Sequence, residues 1–291
     1  ALGSPPTPTV FAATQTPAIN VKLHKEPRAP ATMQRRDFLK TASTLALMGQ
    51  WGCTWAVEKS DSIITRPIPS SGELLPVMGM GSSRTFDLRL SEGNLANLVS
   101  VMEQFFAGGG TLIDSSPMYG AAEEALGEVI ARVPGARNTF AATKVWTDGK
   151  ESGIAQMQES SRLMHVPVFD LMQIHNLRDW KTQLPTLRQF KEEGRIRYLG
   201  ITTSHQRDHD ELEAMMRNEQ LDFVQFSYNI DNLLAEQRLL PIAAERGIAT
   251  LINRPFQRGK LFSRVQGKAL PPLATELGCQ SWGQFFLKFI I

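Results

Sequence analysis

The sequence predicts an α/β protein with a (β/α)8 TIM barrel that ends before strand eight and helix eight. Short apolar runs alternate with segments of helical period from about Val77 onward, which makes seven strand–helix units. Strands separated by helices run parallel, because each crossover carries the chain back to the same end. A length of 291 residues accommodates one barrel, and 42% apolar residues supply a sizeable core.

Seven apolar runs bounded by turn-forming residues predict the strands. The predicted strands are Val77–Gly81, Thr111–Asp114, Phe140–Lys144, Asp170–His175, Arg197–Thr202, Asp222–Ser227 and Ala249–Ile252. An open, doubly wound sheet also fits strict alternation of strands and helices. Such a sheet usually carries a glycine fingerprint after its first strand, whereas here Gly79-Met80-Gly81 is followed by Ser-Ser-Arg without the third glycine. The closed barrel is therefore the favoured architecture.

Composition and charge argue against several classes of protein. The net charge is +2, and no stripe of Lys and Arg interleaves with aromatic residues, so no nucleic-acid partner is expected. No apolar run reaches the roughly 18 residues of a membrane helix, so no stable membrane span is expected. The two cysteines are Cys53 and Cys279, and because Cys53 lies in a predicted leader, no disulfide framework is expected. No metal ligands are assigned.

The segment before the barrel is predicted to have three parts. Residues 1–32 are rich in Pro, Thr and Ala without a hydrophobic period, which predicts a disordered leader or upstream read-through. The run Gln34–Lys40, Gln-Arg-Arg-Asp-Phe-Leu-Lys, resembles the twin-arginine (Tat) export signal. The resemblance implies a signal peptide over residues 33–56, the Tat translocase as a partner and a periplasmic location, or a cytoplasmic location if the signal is not used. Residues 57–76 are then a linker, and residues 77–291 are the barrel domain, incomplete at its C-terminus.

Ionisable side chains stand at or just beyond the ends of three consecutive predicted strands. Asp114 ends the second strand, Lys144 the third and His175 the fourth, while Tyr119 lies in the loop after Asp114. In a parallel barrel these ends share the carboxyl-end face, where the loops carry the chemistry. Taken singly, each residue also fits an ordinary role as a solvated strand end or a packing residue. Lys144 and His175, however, close apolar runs that enter the barrel interior, where a charge is costly unless it is paired.

The order and spacing of these residues resemble the aldo/keto reductase family, in which an Asp is followed five residues later by Tyr-Gly. The matching segments are Gly108–Ser116, Tyr119-Gly120, Thr143-Lys144, His175 and Lys191–Ile201. The resemblance covers about Val77 to Ile291 and is specific, because several separate segments agree in order. It implies the barrel fold, an NADP(H) cofactor and the reduction of a small-molecule carbonyl substrate.

The resemblance also implies a role for each residue of the tetrad Asp114, Tyr119, Lys144 and His175. Hydride addition to a carbonyl carbon leaves a developing alkoxide, which Tyr119 protonates as the general acid. A free phenol has a pKa near 10, and Lys144 is expected to lower the pKa of Tyr119 by stabilising the phenolate. Asp114 holds Lys144 in its charged form. His175 donates a hydrogen bond that orients the carbonyl oxygen.

Cofactor contacts are implied after the later strands. They are Thr202, Thr203, Gln225, Pro255, Phe256 and Arg258. Thr202 and Thr203 stand where the family has Ser-Asn. Asn253 stands where the family has an aromatic residue that stacks on the nicotinamide ring, so either Asn253 replaces that residue or another position takes its role. Arg254 and Arg258 are candidates for the pyrophosphate oxygens. In the family, the contacts to adenosine and to the 2′-phosphate follow strand eight, and the predicted barrel ends before that strand. A preference for NADP over NAD is therefore implied by the resemblance and not by particular residues.

Two other functions stay open. One is a cofactor-binding regulatory subunit that keeps the barrel and turns over slowly, although a binding module has no need of Tyr119 beside Lys144. The other is a lyase or isomerase barrel that acts on phosphorylated sugars. Such barrels carry a phosphate cup after strands seven and eight, and the single glycine of Asn253–Gly259 matches it only weakly.

Overall fold

Parallel strands form a barrel with helices around it. The computed structural model describes residues 10–14, 63–204 and 208–291. The strands are β1 (Val10–Thr14), β2 (Thr65–Pro67), β3 (Leu74–Pro76), β4 (Met78–Gly81), β5 (Leu112–Asp114), β6 (Phe140–Val145), β7 (Phe169–His175), β8 (Ile196–Thr202), β9 (Phe223–Ser227) and β10 (Ala249–Asn253). The α-helices are α1 (Glu92–Ala107), α2 (Ala122–Ile130), α3 (Lys150–Met164), α4 (Trp180–Glu192), α5 (His209–Asn218), α6 (Leu234–Gln237), α7 (Leu239–Arg246), α8 (Lys260–Val265), α9 (Pro272–Glu276) and α10 (Trp282–Ile290).

Seven strands, β4 to β10, lie side by side in chain order and pair in parallel. The predicted α/β barrel architecture is confirmed, and each of the seven predicted strands is present with its bounds within one residue of those expected. Apolar runs mark strand bounds well here, because a strand that is covered on both faces has little polar sequence. The carboxyl ends of all seven strands meet at one face of the barrel.

The position between β10 and β4 is occupied by β1, which closes the ring. Ala12 pairs in parallel with Ile252 on one side and with Met78 on the other. The sequence predicted a barrel that ends before strand eight and a disordered leader over residues 1–32. The five residues of β1 lie in that leader and correct the second prediction at these positions. The unpaired N–H and C=O groups of edge strands accept an extended segment as a partner, whatever its place in the chain. The other residues of that leader, and the predicted signal over residues 33–56, lie outside the described residues.

The antiparallel hairpin of β2 and β3 closes the amino end of the barrel. It lies within the segment predicted as a linker, and its side chains Ile68 and Leu75 are 0% and 2% exposed. They belong to a cluster that we call the apolar plug: Ile68, Leu75, Leu112, Phe140, Ala142, Leu171, Tyr198, Phe223, Ala249 and Leu251. Because burial of apolar surface is the main driving force for folding, the plug stabilises this end.

The helices pack closely against their neighbours on the outside of the barrel. Helix α2 approaches α3 so closely that a Cβ atom at Gly127 would lie 2.0 Å from the carbonyl oxygen of Leu163. Glycine is therefore required at this crossing. A second apolar cluster, larger than the plug, fills the space between strands and helices. None of the described helices is both long enough and apolar enough to cross a membrane.

Candidate active site

Four predicted site residues meet at the carboxyl-end face of the barrel. Asp114 is the last residue of β5, Lys144 lies near the end of β6, and His175 is the last residue of β7. Tyr119 lies in the loop after β5, where its backbone N–H donates to the Ser116 carbonyl oxygen at 2.9 Å. Because neighbouring parallel strands end at the same face, residues distant in sequence lie side by side. The structure thus brings the predicted tetrad together.

Lys144 and Asp114 form a buried ion pair. Lys144 Nζ donates to the two carboxylate oxygens of Asp114 at 2.8 and 2.7 Å and to the carbonyl oxygen of Ser115 at 2.6 Å. Both side chains are buried, and buried charges are stable only when their hydrogen-bonding capacity is met. Burial lowers the pKa of Lys144, but the interactions with Asp114 and Tyr119 outweigh it, so the pKa is raised above its ordinary value. Lys144 is therefore an ammonium ion at neutral pH.

Two glutamine amides hold the Asp114 carboxylate from the other side. Gln173 Nε2 donates to it at 3.0 Å, and Gln225 Nε2 donates at 3.2 Å. Gln225 Oε1 accepts a hydrogen bond from Thr202 Oγ1 at 2.9 Å. Thr202 and Gln225, both predicted as cofactor contacts, therefore belong to the network around the ion pair. Gln173 was not predicted, although its position two residues before His175 puts both side chains on one face of β7.

The Tyr119 hydroxyl is a protonated phenol at neutral pH. Lys144 Nζ lies 5.2 Å from the centroid of the Tyr119 ring. Burial raises the pKa of Tyr119, and although the charge of Lys144 lowers it as expected, the pKa stays above its ordinary value of 10.0. The prediction of a net lowering is wrong, because the hydration that a buried phenolate loses outweighs its attraction to the ammonium group. The sequence indicated the partner cation but not the depth of burial.

His175 is neutral and is held from one side. Its Nδ1 lies 2.8 Å from Ser116 Oγ, and its ring meets the Tyr119 ring edge to face, with centroids 5.7 Å apart. Burial, and then the charge of Lys144, lower the pKa of His175 to about 3. The imidazole therefore carries a single N–H at neutral pH. The contact with Ser116 was not predicted, since it joins residues 59 positions apart.

An indole ring extends the site beyond the tetrad. Trp146 directly follows β6, and its ring centroid lies 6.4 Å from that of His175. The Arg178 guanidinium lies 4.9 Å from the centre of the Trp146 ring and donates to both carboxylate oxygens of Asp148 at 2.9 and 2.7 Å. Gln156 Oε1 accepts a hydrogen bond from the Trp146 backbone N–H at 2.6 Å. These contacts hold an aromatic wall beside His175, which the sequence analysis missed.

The remaining predicted cofactor residues lie after β8 and β10. The Thr203 N–H donates to a carbonyl oxygen of β9 at 2.9 Å. Pro255 and Phe256 are buried, and the Phe256 ring packs against Phe262 with centroids 4.9 Å apart. Arg258 is exposed. Within the described part of the chain, no hydrogen bond, ion pair or ring contact joins Pro255, Phe256 or Arg258 to the tetrad.

The loop after β10 also carries two cations, Arg254 and Arg258. Arg254 is half-buried. Burial and the nearby charge of Arg258 lower the pKa of Arg254, whereas Tyr119 raises it. Among residues 63–204 and 208–291, no carboxylate forms an ion pair with Arg254 or Arg258. This side of the site is electropositive, which favours an anionic group. The same residues contain no group of three or more His, Cys, Asp or Glu side chains placed to hold a metal ion.

Fold and tetrad together define a (β/α) barrel protein with a buried Lys–Asp pair beneath a tyrosine and a histidine. The sequence model of the aldo/keto reductase family matches residues 77–275. This match covers more than half of the 291 residues, and the chain belongs to the aldo/keto reductase family. The family predicted from the spacing of the tetrad is therefore confirmed. The twin-arginine signal stays a prediction.

Solved structures and curated relatives agree with this assignment. An aldo/keto reductase from Klebsiella pneumoniae, solved with NADP and acetate, superposes with a TM-score of 0.62 at 18% identity, over 74% of this chain and 77% of that chain. The aldo-keto reductase YhdN of Bacillus subtilis is 25% identical over 174 residues, which are 53% of this chain and 50% of the relative. An NADH-specific methylglyoxal reductase of Escherichia coli is 28% identical over 85 residues, 29% of this chain and 25% of the relative. The chain thus spans half or less of these curated relatives.

Proposed function

We propose that the protein is an NADP(H)-dependent oxidoreductase that reduces an aldehyde or a ketone to an alcohol. The observation that carries the proposal is the position of a protonated, partly buried phenol, Tyr119, beside the charged pair of Lys144 and Asp114. His175, neutral and at the same face, supplies a hydrogen-bonding group. When bound, the dihydronicotinamide ring of the cofactor supplies the hydride that is added to the carbonyl carbon.

The residues present fit a dinucleotide cofactor. Arg254 and Arg258 have no acidic partner among the described residues and suit phosphate oxygens. The Asn176 side-chain oxygen is buried without a hydrogen-bond donor in the described chain, and the amide of a carboxamide group is a suitable donor. The resemblance further assigns contacts to Thr202, Thr203, Gln225, Pro255, Phe256 and Arg258. Among the relatives, one structure contains NADP and one curated name specifies NADH, so both cofactors belong in the assay.

The chain's own residues account for the proton. A carbonyl oxygen that gains negative charge is a far stronger base than a phenolate, so Tyr119 donates to it although its pKa is raised. The phenolate that remains is stabilised by the ammonium group of Lys144. Asp114 keeps that ammonium charged and in place, and the amides of Gln173 and Gln225 fix Asp114 in turn. Gln173 and Gln225 therefore hold Asp114 in place. Asp114 holds Lys144, which in turn stabilises the Tyr119 phenolate.

The substrate is proposed to be a small-molecule carbonyl compound. The Trp146 ring stands next to His175 and is fixed by Arg178, so an apolar or aromatic part of the substrate has a rigid surface to pack against. A simple aromatic aldehyde is therefore a suitable first substrate for the assay.

The test is the substitution Tyr119→Phe, followed by NADPH and NADH oxidation with an aromatic aldehyde. Loss of the proton donor is expected to lower kcat about 100- to 10,000-fold. Cofactor affinity, measured by fluorescence titration, is expected to stay nearly unchanged. The matched control is Tyr198→Phe, because the Tyr198 hydroxyl bonds to Ser71 Oγ at 2.7 Å at the opposite end of the barrel. Wild-type turnover in Tyr119→Phe contradicts the proposal. A wild-type protein that binds the cofactor without oxidising it favours the regulatory subunit instead.

We further propose export to the periplasm through the Tat translocase. The support is the resemblance of Gln34–Lys40 to a twin-arginine signal, in a segment outside the described residues. Fractionation of a tagged protein that starts at Met33 tests location, with Arg35→Lys and Arg36→Lys together as the control. Export of both proteins alike, or of neither, contradicts use of the signal.

A further inference from the structure

Ser116 Oγ contacts Nδ1 of the His175 imidazole. We propose that Ser116 is a positioning residue that holds His175 in the tautomer with the proton on Nε2, so that this N–H donates to the substrate carbonyl oxygen. The inference rests on the proposed function for the role of the carbonyl. The choice of tautomer itself follows from the hydrogen bonds of the folded chain.

The contact is short and enclosed. Ser116 Oγ lies 2.8 Å from His175 Nδ1, and the two residues are 0% and 4% exposed. The Met118 backbone N–H donates to the same Oγ at 3.2 Å. These are all the hydrogen bonds of the Ser116 side chain in the described part of the chain. The hydroxyl group therefore has two known neighbours, one of which is a donor whatever the protonation of the imidazole.

Counting protons decides between the two tautomers. A serine hydroxyl has one proton and two lone pairs, and a neutral imidazole has one N–H and one free lone pair. The Met118 N–H already uses one lone pair of Ser116 Oγ. If Nδ1 carried the imidazole proton, Oγ would accept two hydrogen bonds and its own buried proton would find no acceptor. If Nδ1 carries no proton, the Ser116 hydroxyl group donates to it, and every proton at the contact has an acceptor.

The other ring nitrogen is left for a ligand. Among the described residues, no hydrogen bond reaches His175 Nε2, while the ring edge borders Tyr119 and Trp146. Burial and the charge of Lys144 lower the pKa of His175 to about 3, so protonation of both nitrogens does not provide a second N–H at neutral pH. Only the tautomer decides whether Nε2 presents a donor or a lone pair.

The difference matters at a carbonyl oxygen. An N–H aimed at this atom stabilises the negative charge that develops there, and the stabilisation grows as the reaction proceeds. A bare Nε2 would instead place its lone pair against the oxygen lone pairs and repel the same charge. The tautomer therefore affects the chemical step more than the binding of the uncharged substrate.

The same residue also positions the proton donor. The Ser116 carbonyl oxygen accepts a hydrogen bond from the Tyr119 N–H at 2.9 Å, which closes a turn with Pro117 at the second position. The backbone of Ser116 thus places Tyr119, while its hydroxyl group orients His175. A single residue links the two groups that face the carbonyl oxygen.

The direct experiment is nitrogen NMR on the full chain labelled in its histidines. Long-range ¹H–¹⁵N correlations distinguish a protonated ring nitrogen from a bare one, and His175→Gln assigns the signal among the 5 histidines. At neutral pH we expect bare Nδ1 and protonated Nε2 for His175 in the wild type. A protonated Nδ1 in the wild type overturns the inference and leaves the proposed function untouched.

Three variants connect the tautomer to turnover. Ser116→Ala removes the donor, and we expect a mixed tautomer signal and a kcat about tenfold lower, less than the roughly 100- to 1,000-fold cost of a whole lost donor. KM is expected to change little. Ser116→Thr keeps a hydroxyl group and is expected to restore the Nε2-protonated signal. Ser82→Ala is the matched control, since it deletes a buried hydroxyl at the same end that bonds to Ser115 Oγ at 2.9 Å.

The outcomes separate the inference from its premise. If Ser116→Ala and Ser82→Ala both leave the signal of His175 as in the wild type, Ser116 does not set the tautomer and the inference is wrong. If Ser116→Ala does not fold, the wild-type spectrum and Ser116→Thr still decide the matter. If the tautomer is as expected but Tyr119→Phe keeps full turnover, the proposed function fails while the structural role of Ser116 stands.

Discussion

The two ends of the barrel are built from the same strands but differ in the side chains that fill their interiors. At the carboxyl end, Lys144 and Asp114 place two opposite charges in the interior, where Lys144 is 0% exposed. At the amino end the interior holds the apolar plug, and the ion pairs lie around it, each with at least one partly exposed partner. There Arg197 pairs with Glu73 and Asp170, all with partly exposed side chains. The carboxyl end therefore holds an ion pair with both partners buried, whereas the plug at the amino end consists of uncharged side chains.

Burying the ion pair at the carboxyl end costs free energy, which further hydrogen bonds offset. A buried ion pair loses hydration that its mutual attraction only partly offsets, so it depends on further hydrogen bonds. Here the Ser115 carbonyl oxygen and the amides of Gln173 and Gln225 supply them. In the apolar plug only the Tyr198 hydroxyl group needs such a partner, which Ser71 Oγ supplies at 2.7 Å, and burial stabilises the other side chains. Substitutions at the two ends are therefore expected to differ both in how they destabilise the protein and in how much they lower the free energy of unfolding.

The largest effect is expected for Lys144→Met at the carboxyl end. The substitution leaves the Asp114 carboxylate buried without its counter-charge, which typically lowers the free energy of unfolding by about 3–5 kcal/mol. Denaturant unfolding measures the change. The double variant with Asp114→Asn is the control and is expected to recover most of the loss, because neither charge then remains. A single variant as stable as the wild type would show that the pair is not as enclosed as the distances indicate.

Ile68→Ala in the apolar plug is expected to have the next largest effect. Deleting most of a fully buried aliphatic side chain costs about 2–4 kcal/mol through lost transfer energy and a cavity. Because Ile68 lies at the end remote from Tyr119, kcat of the folded protein is expected to stay unchanged. Leu74→Ala is the matched control, since Leu74 is on the same hairpin but is 64% exposed. If Ile68→Ala loses turnover although the same fraction of the protein is folded, the amino end affects catalysis and the two ends are not independent.

The free energy of unfolding is expected to fall at acid pH because of the lowered pKa of His175. Its pKa is lowered to about 3 in the folded chain from an ordinary value of 6.5. Above pH 6.5 both states are neutral and the contribution is complete, whereas below it only the unfolded chain binds the proton, so stability falls towards pH 3. Between pH 7 and pH 5 this loss amounts to about 2 kcal/mol.

Urea unfolding of wild type and His175→Gln at both pH values measures this contribution. Glu123 is also buried, and burial raises its pKa, so it acts in the opposite direction as the pH falls. Because Glu123 is present in both proteins, its effect cancels in the comparison. The same pH dependence in both proteins would mean that His175 titrates normally.

The smallest effect is expected for Arg197→Met at the amino rim. The Arg197 side chain is 46% exposed, and its ion pairs with Glu73 and Asp170 are screened by water and salt. The free energy of unfolding is expected to fall by no more than about 1 kcal/mol. The difference from the wild type should shrink further at high salt. A loss as large as that of Lys144→Met would show that the rim charges are as important as the buried ones.

Strand bounds and the tetrad were accessible from the sequence, because both follow from local rules. An apolar run of three to seven residues that ends in a polar residue marks a buried parallel strand and its carboxyl end. All parallel strands of one barrel end at one face, so Asp114, Lys144 and His175 were expected to meet. The structure places Lys144 Nζ within 2.8 Å of both Asp114 carboxylate oxygens.

Other features depended on contacts that no local pattern carries. The pKa of Tyr119 is raised rather than lowered, because its burial is a sum over every neighbour in the fold. The partners of Asp114 include Gln225, which is 111 positions away in the sequence. The strand β1 fills the position beside β10, which five residues of a Pro- and Thr-rich leader did not indicate.

By itself, the sequence determined the alternation of strands and helices and the order of charged residues at strand ends. These properties belong to segments of a few residues, whose periodicity and end residues are set by burial and backbone geometry. Only the tertiary structure decided which groups satisfy those charges and how far burial shifts their pKa values. Hydrogen bonds such as that of Ser116 to His175 act over about 3 Å, between residues that are 59 positions apart in the sequence and adjacent only in the folded chain.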